Sequence, residues 1–259
     1  MELPFYQVDA FTSKVFRGNP AGVCPLSAWL PDEVMQSIAA ENNLSETAFF
    51  VPEPGGFALR WFTPVTEIDL CGHATLASAH VLFEHLGFVG ETIRFSSQSG
   101  PLFVTREQGL ITLDFPTWDP VPRDIPEALT LALGVRPVEL YANRDFLALL
   151  PSPQHVLDLK PDLELLSTLD GLCIIVTAQG REYDFISRVF VPREGIPEDP
   201  VTGSAHCSLI PYWAARLGKK KLRAYQASSR GGELFCELRG ERVAIAGQAA
   251  LYLKGTIFI

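Results

Sequence analysis

Two segments of this chain, CGHATLASAHVLFEHLG (71–87) and TGSAHCSLIPYWAARLG (202–218), are each 17 residues long and align at an offset of 131. Both open on a glycine, Gly72 or Gly203, followed by a polar residue and alanine. Both end on Leu-Gly, where glycine readily takes the left-handed conformation that closes a helix. Upstream, RWFTP (60–64) resembles RVFVP (188–192); downstream, GPLFVTREQGLITL (100–113) resembles GELFCELRGERVAI (232–245). Any one of these matches could arise by chance. Three in the same order, at offsets of 128, 131 and 132, mark an internal repeat of strand, helix and hairpin. The chain is therefore expected to fold as two similar halves, each with strands around one central helix, in the α+β class.

Apolar runs at 57–62, 102–105, 110–115, 146–150, 172–176 and 188–191 read as strands. The clearest helical stretches are Pro31 to Asn42, Ala74 to Leu86, Pro126 to Leu133 and Ala205 to Leu217. The helix after Gly72 is apolar nearly all round, as expected for one wrapped by a sheet. Pro211 departs from that pattern, and its ring is expected to kink the second helix.

Several function classes are disfavoured. With 47% hydrophobic and 20% charged residues the chain has ample material for a core. Its net charge is −9 and its one basic run is Lys219-Lys220-Lys221, so no nucleic-acid surface is expected. The five cysteines are odd in number and widely spaced, without a CxxC pair, and HEXXH spacing is absent. No metal site or disulfide framework is expected. No dinucleotide or triphosphate loop occurs, nor a GxSxG elbow. The N-terminal MELPFYQVDAF does not read as a secretory signal, and no apolar run is long enough for a membrane span. A cytoplasmic protein without membrane partners is the expectation.

The chemistry is expected at the repeated turns. A helix start leaves backbone N–H groups without intrahelical partners and carries partial positive charge. Gly72-His73 and Gly203-Ser204 would together suit an anion such as a carboxylate. Three acid/base candidates lie nearby in sequence: His73, Asp199 in EDPVTGSA (198–205), and Glu46 in NNLSETAFF (42–50). Each also has a purely structural reading. Glu46 could be a capping acid at a strand edge, Asp199 a turn residue before proline, and His73 an N-cap.

VDAFTSKVFRGNPAGV (8–23), NNLSETAF (42–49), FTPVTEIDLCGHAT (62–75) and EDPVTGSAH (198–206), in that order, resemble the PhzF-like (phenazine biosynthesis) isomerase family, which shares the diaminopimelate epimerase fold. The resemblance covers essentially the whole chain. It implies two pseudo-symmetric lobes, each a mixed or antiparallel sheet rolled around a central helix, with the site in the cleft between them. Residues 1–117, completed by 247–259, would form one lobe and 118–246 the other. It further implies that Glu46 is the catalytic base and that His73, Asp199 and Ser204 surround the reacting carbons and carboxylate. Gly72, His73, Gly203, Ser204 and Asn19 would bind substrate. Amino-acid epimerases of this fold use two thiols, one at each repeated turn; here Cys71 occupies the first position but Thr202 the second. A threonine hydroxyl is too weakly acidic to replace a thiol.

The leading expectation is thus a cofactor-independent isomerase that shifts a proton on a small carboxylate-bearing metabolite. An epimerase or racemase using carboxylate bases, and a non-catalytic small-acid-binding protein, are the alternatives. The resemblance and the prevalence of symmetric oligomers add a homodimer as an expectation.

Overall fold

A computed structural model describes residues 1–259, the side chain of Glu194 excepted. Residues Met1–Asp114 with Ala246–Ile259 form one compact unit, and Phe115–Ile245 a second. The first unit runs β1 (Glu2–Ala10), β2 (Asn19–Pro25), α1 (Asp32–Asn42), β3 (Glu46–Glu53), β4 (Gly56–Phe62), β5 (Glu67–Ile68), α2 (Gly72–His85), β6 (Thr92–Ser97), β7 (Gly100–Glu107) and β8 (Leu110–Pro116). The second runs β9 (Val121–Arg123), α3 (Glu127–Leu133), β10 (Glu139–Ala142), β11 (Phe146–Leu149), α4 (Pro153–Leu157), α5 (Leu163–Ser167), β12 (Ile174–Gln179), β13 (Phe185–Val191), β14 (Ile196–Asp199), α6 (His206–Leu217), β15 (Lys221–Gln226), β16 (Gly232–Arg239) and β17 (Arg242–Gly247). The last strand, β18 (Ala249–Phe258), returns to pair antiparallel with β1.

Strand pairing repeats the pattern read from the sequence. In the first unit β1 is antiparallel to β2, β2 parallel to β3, β3 antiparallel to β4, β4 parallel to β6, and β6 antiparallel to β7. In the second, β10 is antiparallel to β11, β11 parallel to β12, β12 antiparallel to β13, β13 parallel to β15, and β15 antiparallel to β16. Each parallel step needs a crossover, and α2 and α6 lie on the equivalent ones, β4 to β6 and β13 to β15. The fold is α+β, with two pseudo-symmetric lobes.

Burial follows from position in the sheet. β3 and β12 are buried on both faces almost throughout, whereas β8 alternates Ile111, Leu113 and Phe115 inward with half-exposed residues between. α2 is buried from Gly72 to Ala79 and again at Val81 to Phe83, packed on β1, β2 and β3. On the other side of that sheet, Met35, Ile38 and Ala39 of α1 meet Phe49, Val51 and Phe62. In the second unit Leu129, Leu133, Val156 and Leu166 of the short helices cover Ile174, Val176 and Phe190.

The second helix start differs from its expected form. α2 begins at Gly72, but α6 begins at His206, after a turn in which His206 N–H donates to Gly203 O and Cys207 N–H to Ser204 O. In α2 the equivalent Thr75 uses both its N–H and its hydroxyl on Cys71 O. In the second unit the His206 imidazole takes the Thr202 carbonyl instead, at 2.8 Å, and its N–H goes one residue shorter. Pro211 does not break α6. It leaves the Cys207 carbonyl without its usual helical donor, and the Trp118 N–H supplies one at 2.9 Å.

Candidate active site

Three element starts converge in the first unit. Parallel pairing of β2 with β3 sets Ala21 opposite Glu46, so Asn19 and Glu46 begin neighbouring strands on the same side of the sheet. The chain reaches Asn19 through Gly18 at φ +64°, where a Cβ would lie 2.1 Å from Ala10 O, a position only glycine can hold. It reaches Glu46 through Asn43, which closes α1 in the left-handed conformation. α2 then presents His73 as its second residue. Its N-cap is Cys71, not His73, so the capping explanation for His73 does not hold.

His73 is buried between three partners. Its Nδ1 lies 3.2 Å from Asn19 Nδ2 and 3.5 Å from Cys71 Sγ, while Nε2 lies 3.1 Å from Glu46 Oε2. Ser45 donates to Asn19 Oδ1 at 3.3 Å, which turns the amide toward the ring. Glu46 and His73 are only 8% and 4% exposed. Despite their closeness, Glu46 Oε2 and His73 Nε2 make no aligned hydrogen bond, either with each other or elsewhere.

The charges follow from this packing. Burial, with the Glu46 carboxylate adding to it, pushes the Cys71 thiol up to about 11, so Cys71 is a neutral thiol at physiological pH. Burial opposes a charged His73, but Cys71 and Glu46 outweigh it and raise the imidazole well above 6.5. Asn19 Nδ2 can only donate, so it faces Nδ1 of the neutral ring, and protonation of His73 beside the Glu46 carboxyl requires the Asn19 amide to turn its Oδ1 inward.

Glu46, Cys71 and His73 also offer donor atoms within 4.8 Å of one another. An ion can take only one nitrogen of a single imidazole. Cys71 approaches Nδ1 whereas Glu46 approaches Nε2, so the two do not share one ring nitrogen. That arrangement suits an ion pair better than tetrahedral coordination.

The second unit holds the other sequence candidates. Thr202 donates its hydroxyl to Asp199 Oδ2 at 2.5 Å. Gln226, fully buried at the end of β15, accepts from Thr202 N–H and donates to Asp199 O and Thr202 Oγ1. Gly203 is buried and Ser204 half-buried in the turn that follows. His206 is neutral, pushed down to about 4 by burial, with Nδ1–H donating to Thr202 O. Ser45, Thr202 as partner of Asp199, and Gln226 were not among the residues singled out from sequence. Ser45 lay inside a conspicuous segment, whereas Gln226 had no signal at all.

The family described as phenazine biosynthesis-like protein (PhzC-PhzF) matches residues 8–255. The chain belongs to that family. An isomerase of Pseudomonas aeruginosa, described as uncharacterized, is 51% identical over 259 residues and covers all of both chains. The crystal structure of a PhzF-family protein from Enterococcus faecalis superposes with a TM-score of 0.98 at 52% identity, again over all of both chains. A predicted epimerase of Pseudomonas aeruginosa, 20% identical with a TM-score of 0.77 over 99% of each chain, shares the fold. Among the described residues no helix is long and apolar enough to cross a membrane.

Proposed function

We propose that this PhzF-family chain is an isomerase that shifts a proton between positions of a small carboxylate-bearing metabolite, with Glu46 taking the proton and returning it. The observation that carries the reading is the buried Glu46–His73 pair, 3.1 Å apart and without an aligned hydrogen bond between them. Glu46 offers a proton acceptor in a water-poor setting. His73, favoured in its charged form by Cys71 and Glu46, stabilises negative charge as it develops on the substrate. The Gly72 and His73 amides at the start of α2 suit the substrate's carboxylate, and Asn19 fixes the ring. The reading gives Asp199 the second carboxylate role and gives Gly203 and Ser204 a share in binding. The chemistry needs no redox cofactor.

Two-thiol epimerisation is disfavoured by the pairing of Cys71 with Thr202 at equivalent positions, and by a Cys71 thiol that stays protonated. The test is a panel of small unsaturated carboxylic acids incubated with the protein in D2O and followed by NMR. The reading predicts a positional isomer carrying deuterium at its new C–H position. Deuterium at an existing stereocentre of an otherwise unchanged acid would instead establish epimerisation.

A further inference from the structure

Gln226 stands outside every segment that marks the family resemblance, yet its side chain is fully buried and every polar atom it carries is engaged. Those bonds permit one orientation of the amide. Thr202 N–H can only donate, so the atom facing it at 2.9 Å is Oε1. The Asp199 carbonyl can only accept, so the atom facing it at 2.8 Å is Nε2. Nε2 also reaches Thr202 Oγ1 at 3.1 Å, and there it must donate. The Thr202 hydroxyl then has one proton left to place, and its remaining close partner is Asp199 Oδ2 at 2.5 Å.

We propose that Gln226 is a positioning residue that fixes the direction of the Thr202 hydroxyl, so that Asp199 Oδ2 is held as an acceptor. This rests on the proposed role of Asp199 in the isomerase. The His206 imidazole adds to the clamp by holding the Thr202 carbonyl. All three polar groups of Thr202 are thereby committed: N–H to Gln226, C=O to His206, and O–H to Asp199. In the first unit the equivalent residue is Cys71, whose thiol faces His73. The same backbone position thus orients a titratable group in each repeat, by a thiol in one and by a relayed hydroxyl in the other.

The test reads Asp199 without turnover. The protein is labelled with aspartate carrying carbon-13 at the side-chain carboxyl, and Asp199→Asn identifies the resonance. Gln226→Leu and Thr202→Val should each make the Asp199 carboxyl about tenfold less acidic, because the hydroxyl donor to Oδ2 is lost or free to turn. Thr202→Ser, which keeps the hydroxyl, should titrate like the parent. The Gln226→Leu/Thr202→Val double variant should shift no further than Thr202→Val alone, since Gln226 acts through Thr202. If Gln226→Leu does not fold, the unbranched Gln226→Met supplies the same comparison. An unshifted resonance in the Gln226 variant, or shifts that add in the double variant, would overturn the proposal. Failure here leaves the isomerase reading standing. Full turnover by Asp199→Asn would instead remove the Asp199 assignment and leave the titration intact.

Discussion

The Glu46–His73 pair makes a quantitative prediction through a double-mutant cycle of Glu46→Gln and His73→Asn. The two atoms are 3.1 Å apart, with side chains 11% and 5% exposed. At an effective dielectric near 20, unit charges at that separation attract by about 5 kcal/mol, before the cost of withdrawing both from water. Removing one partner of such a buried pair typically costs about 3–5 kcal/mol, because the other is left uncompensated. The double variant should therefore lose less than the sum of the singles, with a coupling of about 2–4 kcal/mol at pH 6. The pH dependence has a fixed sign. The folded-state pKa of His73 lies well above 6.5, so the folded chain holds this proton more tightly than the unfolded one. Its contribution to stability is complete below about 6.5 and is lost as pH rises through the raised value. Urea denaturation of the four proteins at several pH values, followed by far-UV circular dichroism, measures this. Coupling below about 0.5 kcal/mol at pH 6, or coupling that grows toward alkaline pH, would refute the ion-pair account.

Three further outcomes follow from the packing. All five cysteines are buried, and Cys24, Cys71 and Cys207 are raised to about 12, 11 and 12, so iodoacetamide at pH 7 should leave native protein unlabelled and active; rapid inactivation through Cys71 would reopen thiol chemistry. His206 is held near 4 against 6.5, a depressed value that stabilises fully above 6.5 and is lost as pH falls toward 4; the shift corresponds to about 3 kcal/mol, so His206→Gln should flatten the acid side of the stability profile. Pro211→Ala returns an N–H that competes with Trp118 for the Cys207 carbonyl, so hydrogen exchange at the Trp118 amide should quicken about tenfold while α6 persists.

What the sequence made legible was local and repeated. Each repeated segment carries its own strand, helix or hairpin signal, so the lobes could be read from three matches in order. Glu46 and His73 stood out because each sits in a short polar stretch bordering an apolar element. The unread features depend on contacts distant in sequence. Gln226 bonds residues 24 and 27 positions away, and a single glutamine ending a strand carries no periodicity. The late start of α6 reflects a competition the sequence does not display, in which the His206 ring takes the carbonyl that its N–H would otherwise use. The Trp118 bond to Cys207 exists because Pro211 vacates that carbonyl, a consequence that shows only once both segments are placed.

The central claim is that Glu46 carries the migrating proton. The most direct measurement is turnover of the acid found in the D2O panel by Glu46→Gln, alongside its binding affinity. The account predicts binding within a few-fold of the parent and turnover reduced by about 10³-fold or more, in line with removal of a general base. Turnover at the parent rate would contradict it.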